Sequence, residues 1–317
     1  MANASWTYDA PTGVLKNHAL SSKLRFAAIR ETKFMQFADT EPGYGKKKGE
    51  SLTITRVDAL SVPTTDVLNE VDTIPEDNFV VSIQAVTAVE HGRAIPYTNL
   101  YEQLANFDLS SAIQRTLKDQ LSLSLDASAA TAAKLGQIKY APTGISSATT
   151  STNGVAGATA SANLNTYHVE AIRDLMYSTY NMPRMGGDAD YVAIVSTKAK
   201  RGIISDPKWE EWHKYTDADS KYAGEIGRYE NIRFIEDNNT AVLSSSLGTG
   251  SVLGEAIFLA SDAIFMGSVM DPELRAKEST DYGRSKGVAW YGIYGFSQVW
   301  YTSANPGQAR SVHVTSL

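Results

Sequence analysis

The chain has no cysteine among its 317 residues and only five histidines. Disulfide frameworks, thiolate nucleophiles, Cys-ligated zinc and iron–sulfur clusters are thereby excluded, and a metal centre would need histidine and carboxylates alone. No apolar run approaches the ~20 residues of a membrane-spanning helix. Residues Met1 to Tyr8 carry neither a basic start nor an apolar stretch, so no secretory signal is expected and a cytoplasmic origin is the default. A positive surplus is missing too: 29 Lys and Arg stand against 35 Asp and Glu, a net charge of -6. Proteins that coat nucleic acid draw nonspecific affinity from cations on phosphates, so this balance argues against that class. What is present, 43% hydrophobic and 20% charged residues, suits a globular chain long enough for two domains with cores.

The charge is segregated. Residues 1 to 38 hold five cations (Lys16, Lys23, Arg25, Arg30, Lys33) against Asp9 and Glu31, which reads as an extended basic arm. The turn Pro42-Gly43-Tyr44-Gly45-Lys46-Lys47-Lys48-Gly49 adds three adjacent lysines. From Val57 to Glu90 there are seven acids (Asp58, Asp66, Glu70, Asp72, Glu76, Asp77, Glu90) and no Lys or Arg. Alternation at Leu52 and Ile54, and at Phe79, Val81, Ile83 and Val89, predicts two half-buried strands joined by an irregular connection that Pro63 and Pro75 interrupt. A two-stranded element is marginal in water. Its apolar face needs cover from the same chain or from a neighbouring one.

An N-cap at Asp108, with Leu109, Ile113, Leu117, Leu121 and Leu125 at every fourth position, predicts a helix running to Gly136, long enough to act as a spine. Residues 141 to 163, mostly Ala, Ser, Thr and Gly, lack large apolar groups and read as a loop. A second helix is expected from about Asn165 toward Pro183, and another over Lys198 to Ile204, stopped by Pro207. Strands are expected at Tyr191 to Val195, Ile232 to Ile235, Ala256 to Leu259, Ala263 to Met266 and Val288 to Tyr301. The fold class is α+β.

Motifs of catalysis are scarce. Gly45-Lys46 lacks the upstream glycine and following Ser or Thr of a phosphate loop. Gly248-Thr249-Gly250 with Gly254 misses the dinucleotide fingerprint by one residue. Glu210-Glu211-Trp212-His213 offers one Glu-x-x-His where a di-iron bundle needs two, and His168-Val169-Glu170 is half of a deaminase motif whose other half needs cysteines. Adjacent carboxylates at Glu236-Asp237 and Glu76-Asp77 have no acid/base spacing. Trp290, Tyr291, Tyr294, Phe296, Trp300 and Tyr301 could stack sugars or bases, but both strand parities are apolar, which fits a central strand buried on two faces. The Lys46-Lys47-Lys48 turn is open to three readings: a solvated turn, a nucleic-acid contact, or a contact with acids on another subunit. No catalytic residue, cofactor or metal ligand is expected.

Two stretches carry a family resemblance. Leu68-Asn69-Glu70, then Phe79 to Glu90 leading into His91-Gly92-Arg93-Ala94-Ile95-Pro96-Tyr97-Thr98-Asn99-Leu100 and Phe107-Asp108-Leu109, resembles the region between E-loop and spine helix in the capsid family named after the major coat protein of phage N4. Gly224-Glu225-Ile226-Gly227 through Ile235-Glu236 is similar to that family's Gly-Glu-Ile-Gly segment and the strand after it. Where the family often has a glycine-rich element, this chain has Val71-Asp72-Thr73-Ile74.

The resemblance implies an HK97-like capsid fold. Its parts would be an N-terminal arm (1–38), a long β-hairpin E-loop (39–95) and a P-domain (96–187) with spine helix 108–136. An A-domain (188–260) would follow, and strands in 261–317 would complete both domains. It also implies a major capsid protein forming hexamers and pentamers of an icosahedral shell around double-stranded DNA, which it touches weakly and nonspecifically. The protein would reside in the virion and assemble in the host bacterial cytoplasm with a separate scaffolding protein, a portal and in some cases a decoration protein. Lys46, Lys47 and Lys48 would meet subunits bearing acids such as Asp66, Glu70, Asp72, Glu76 and Asp77. The alternatives are an encapsulin-type compartment shell, which shares the fold, and a carbohydrate-active enzyme built on the aromatic strands.

Overall fold

The computed structural model describes residues 30–42, 51–58, 60, 63, 67–68, 70, 73–105, 108–186, 190–213, 224–300 and 308–317. The chain first lays down β1 (Ala38–Pro42), the hairpin strands β2 (Ser51–Val57) and β3 (Val81–Thr87), and β4 (Val89–Thr98). Helices α1 (Asn99–Leu104) and α2 (Leu109–Ala133) follow, then β5 (Ile138–Gly144) and β6 (Ser147–Ser151). Next come α3 (Thr166–Asp174), prolonged by a π-turn at Leu175–Thr179, β7 (Tyr191–Ser196), α4 (Thr197–Ile204) and α5 (Pro207–His213). The rest is strand: β8 (Glu225–Tyr229), β9 (Ile232–Asp237), β10 (Ala256–Leu259), β11 (Ile264–Ala276), β12 (Ser285–Ser297) and β13 (Ser311–Val314).

Helix α2 is the member shared by two sheets. Asp108 caps it by accepting the Ser111 amide at 3.3 Å, as its sequence position predicts. Its first half lays Leu109, Ile113 and Leu117 against Val288 and Trp290 of a four-stranded sheet ordered β1-β11-β12-β4. Its second half buries Ala129, Ala130, Ala132 and Ala133 with Phe34, Ile194, Ile235 and Ile257, on one face of a seven-stranded sheet ordered β6-β5-β13-β10-β7-β9-β8. The leucine stripe therefore does not run the helix's length, and Leu121 and Leu125 are only half-buried. At 3.6 residues per turn a step of four advances about 40° around the axis, so a stripe of fourth residues winds away from any flat partner. Small alanines then let the seven-stranded sheet approach closely.

That sheet is covered on both faces, which explains its continuous apolar strands. Tyr191, Ala193 and Val195 face a core with Val169, Ile172 and Ile203 of α3 and α4, while Val192 and Ile194 face α2. The last strand, β13, lies inside the sheet, parallel to β5 and antiparallel to β10.

Three expectations are corrected. Residues 141 to 163 are not simply a loop, because β5 and β6 form a hairpin at the sheet edge; the neighbouring β13 supplies the pairing that weak local propensity does not. Pro207 does not only end α4 but also opens α5, at the position where its missing N–H costs nothing. In β12, Val288, Trp290 and Tyr294 are buried whereas Tyr291 and Ile293 are half-exposed. The strand is central but has only one face packed on helix α2.

Candidate assembly surfaces

The basic segment expected as an extended arm is anchored to its own chain where the described part begins. Phe34 is fully buried, packed with the alanines of α2, and β1 joins the four-stranded sheet parallel to β11. Asp126, fully buried on α2, accepts the amides of Phe34 and Met35 on one carboxylate oxygen at 2.7 and 3.4 Å. Desolvation raises its pKa, and its second oxygen has no partner. Arg30 donates to Asn239 at 3.0 Å. This part of the arm is thus covered by its own subunit.

The β2–β3 hairpin is covered on one face only. Ile54, Arg56, Gln84 and Val86 turn toward the body, where Val86 packs with Phe265 and Val299. Val57, Val81 and Ile83 turn outward, and Ile83 is 65% exposed. In β3 the expected burial parity is reversed within one chain: Val81 and Ile83 face solvent while the inner face carries Ser82, Gln84 and Val86, whereas Ile54 of β2 faces the body as expected. Beyond the hairpin, Leu60, Val67, Leu68, Ile74, Phe79 and Val80 are all exposed. Exposed apolar residues in this number over one stretch make it a candidate interaction surface.

Two further protrusions share this character. Helix α1 exposes Leu100, Tyr101 and Leu104, and its end of the sheet is held by the Lys286–Glu102 ion pair at 2.8 Å. The turn between β11 and β12 carries Asp281, Tyr282 and Gly283 at φ of 55°, 51° and 88°, with Tyr282 fully exposed. Left-handed backbone at a tyrosine is strained.

Of the residues expected at contacts, Glu70, Glu76 and Asp77 are exposed; Lys46, Lys47, Lys48, Asp66 and Asp72 lie outside the described residues. Sequence reasoning missed the α1 face and Tyr282, because a short helix and a lone turn aromatic carry no periodic signal.

The chemistry weighed from the sequence looks different in three dimensions. Trp290 packs under α2 and Tyr294 stacks on His91 at 4.3 Å, so neither forms an open stacking platform. His168 is buried between the Tyr140 hydroxyl at 3.0 Å and the Gly144 carbonyl at 2.9 Å, and burial lowers its pKa. Glu170 is tied to Lys208 and to the Tyr229 hydroxyl. A recess of about 610 Å³ is lined by Asn163, Thr197, Lys198, Arg201, Gly202 and Ser205, far in sequence from the aromatic strand. Among the described residues no group of three His, Asp or Glu is placed to hold a metal ion, and no described helix is long and apolar enough to cross a membrane.

No family model and no curated protein matches the sequence. Solved structures do match, over nearly the whole chain. The capsid of Ralstonia phage GP4 superimposes with a TM-score of 0.68 at 16% identity, covering 99% of each chain. The capsid asymmetric unit of cyanophage Pam1 gives 0.69 at 16% identity, over 99% of this chain and 98% of that one. The capsid of Helicobacter pylori bacteriophage KHP30 gives 0.67 at 11% identity, over 95% of both. The chain has the HK97-like fold of phage capsid proteins.

Proposed function

We propose that this protein is the major capsid protein of a tailed bacteriophage, a structural subunit that assembles with copies of itself into an icosahedral shell around double-stranded DNA. The observation that carries the reading is the two-way coverage of the likeness: it takes in 99% of this chain and 98 to 99% of the two phage capsid chains. The outward apolar hairpin face, α1 and Tyr282 supply surfaces that a monomer would not display.

On this reading residues 1–38 are the arm, 39–95 the E-loop, 96–187 the P-domain with its spine helix, 188–260 most of the A-domain, and 261–317 the strands completing both. The seven-stranded sheet also recruits β5, β6 and β13 from outside 188–260. Partners are other copies in hexamers and pentamers, a scaffolding protein, a portal and, in some shells, a decoration protein. Contacts with DNA are weak and nonspecific, and the N4-type kinship rests on the sequence motifs. The virion is the residence and the host cytoplasm the place of assembly. Lys46, Lys47 and Lys48 meet acids of an adjacent subunit, Glu70, Glu76 and Asp77 among the candidates; charge complementarity sets register more than affinity. Reversing the three lysines to glutamate lowers particle yield at low salt and less so at high salt. Unchanged yield at both would remove this contact.

Electron microscopy of the expressed full-length protein, alone and with its neighbouring gene products, tests the main reading. Shells are expected, containing DNA in the native source. A cargo-filled shell without DNA would favour the compartment protein, and monomers under every condition would sink both shell readings.

A further inference from the structure

We propose that Arg56 is a positioning residue that fixes the angle at which the β2–β3 hairpin leaves its own subunit, so that the outward apolar face is aimed before a neighbour is met. This rests on the assembly reading above.

The hairpin is held at two points. The first is its root, where Val86 enters a small core with Phe265 and Val299. Gly295 of β12 makes that approach possible, since a Cβ there would overlap the Thr87 carbonyl oxygen and stand 3.0 Å from Val86. Ile54 and Ala88 pack on the same cluster, but apolar contact is non-directional and by itself sets no exit angle. The second point lies four residues further along β3, about 13 Å at 3.3 Å per residue. There Arg56, the cross-strand partner of Ser82, donates from Nε to the Ser82 hydroxyl at 2.6 Å and from Nη1 to the Val299 carbonyl at 2.8 Å. Its guanidinium lies 5.4 Å from the Trp300 ring centroid, and Arg310 stands 4.8 Å from the same ring.

Two fixed points define a direction. The frame they refer to is rigid, because Gln298, next to Val299, is buried and donates to the Ala133 carbonyl at 2.7 Å, at the end of α2. The hairpin is thereby referenced to the helix that joins the two sheets. A guanidinium holds its donors in a fixed planar fork, whereas an ammonium is a compact, freely rotating donor on a flexible stem, so lysine keeps the charge near the Trp300 ring but not the fixed two-donor geometry. Arg56 is also the last cation before the acid-only stretch, which places the one positive side chain at the point where the excursion departs.

The test compares wild type, Arg56→Ala and Arg56→Lys as full-length chains. Hydrogen exchange of the unassembled subunit over residues 53–56 and 82–86 is expected to be about tenfold faster in Arg56→Ala, with the main melting transition moved by no more than about 2 °C. Shells of Arg56→Ala are expected to lose their uniform diameter, with Arg56→Lys in between. Unchanged exchange overturns the proposal. So does faster exchange with wild-type shell diameter, which would make Arg56 a local contact only. If wild type builds no shells, the assembly reading fails, while the exchange rates still decide whether Arg56 holds the hairpin.

Discussion

His313 Nε2 stands 2.7 Å from Glu255 Oε1 with both residues buried, where the end of α2 meets the seven-stranded sheet. The same Glu255 oxygen pairs with Lys134 at 2.7 Å, and its other oxygen accepts the Ser244 amide. An ionised Glu255 requires the imidazole proton on Nε2, which leaves Nδ1 to accept from Lys139 at 3.1 Å. Lys139 also donates to the Lys134 carbonyl and closes a ring through four segments of chain. Protonating His313 would set its Nδ1–H against an ammonium group and open that ring.

Acid should therefore weaken the joint. Burial drives His313 down to about 4 from 6.5. Glu255 is lowered to about 2 from 4.5, because its bonds to His313 and Lys134 outweigh the desolvation that opposes them. Both fold with depressed values, so their contribution is complete above about pH 6.5 and is lost as pH falls through 4 and then 2. Lys139, lowered by burial to about 8 from 10.5, has the same sign and adds no alkaline loss. The melting midpoint should fall steadily from pH 6 to 3, and Glu255→Gln should cost about 3 kcal/mol at pH 7 and flatten that slope. A midpoint constant from pH 7 to 3 would contradict the assignment.

Asp126 holds the arm root through two amides while its second oxygen goes unpaired. Asp126→Asn keeps a carbonyl acceptor and removes a poorly solvated carboxyl, so it should match or exceed wild-type stability. Asp126→Ala orphans both amides and should cost about 2 kcal/mol. Chemical denaturation, with exchange at Phe34 and Met35, distinguishes the two; equal loss in both variants would refute the acceptor role.

Leu117 and Leu125 look alike in the sequence stripe but differ in the fold, at 1% exposure and half-buried respectively. Leu117→Ala should cost about 3 kcal/mol and Leu125→Ala about 1 kcal/mol, measured by denaturant midpoints.

Ile83 separates folding from assembly. Being outward, Ile83→Glu should leave subunit stability within about 0.5 kcal/mol while particle yield collapses. Normal particles from this variant would mean the hairpin's outer face is not an interface.

Local physics accounts for much that was readable in advance. Asp108 and the first leucines of α2 signalled the helix because capping and periodicity act within a few residues, and Tyr191 to Val195 signalled a strand because a sheet covered on both faces admits only apolar side chains. The 147–151 strand was not readable, since its Ser and Thr residues join a sheet only because β5, held by β13 from the far end of the chain, offers an edge. Nor was the hairpin's orientation, which depends on Gly295 and Val299, more than 200 positions away.

The division follows the range of the forces. Absence of cysteine, the segregation of charge, the capped helix and the need of the 50–91 excursion for outside cover are properties of composition and short spacing. Which face of that excursion is covered, where the arm is tied to Asp126, and how His313, Glu255, Lys134 and Lys139 come to share one ring depend on contacts between residues far apart in sequence. Their geometry exists only once α2 has brought the two sheets together.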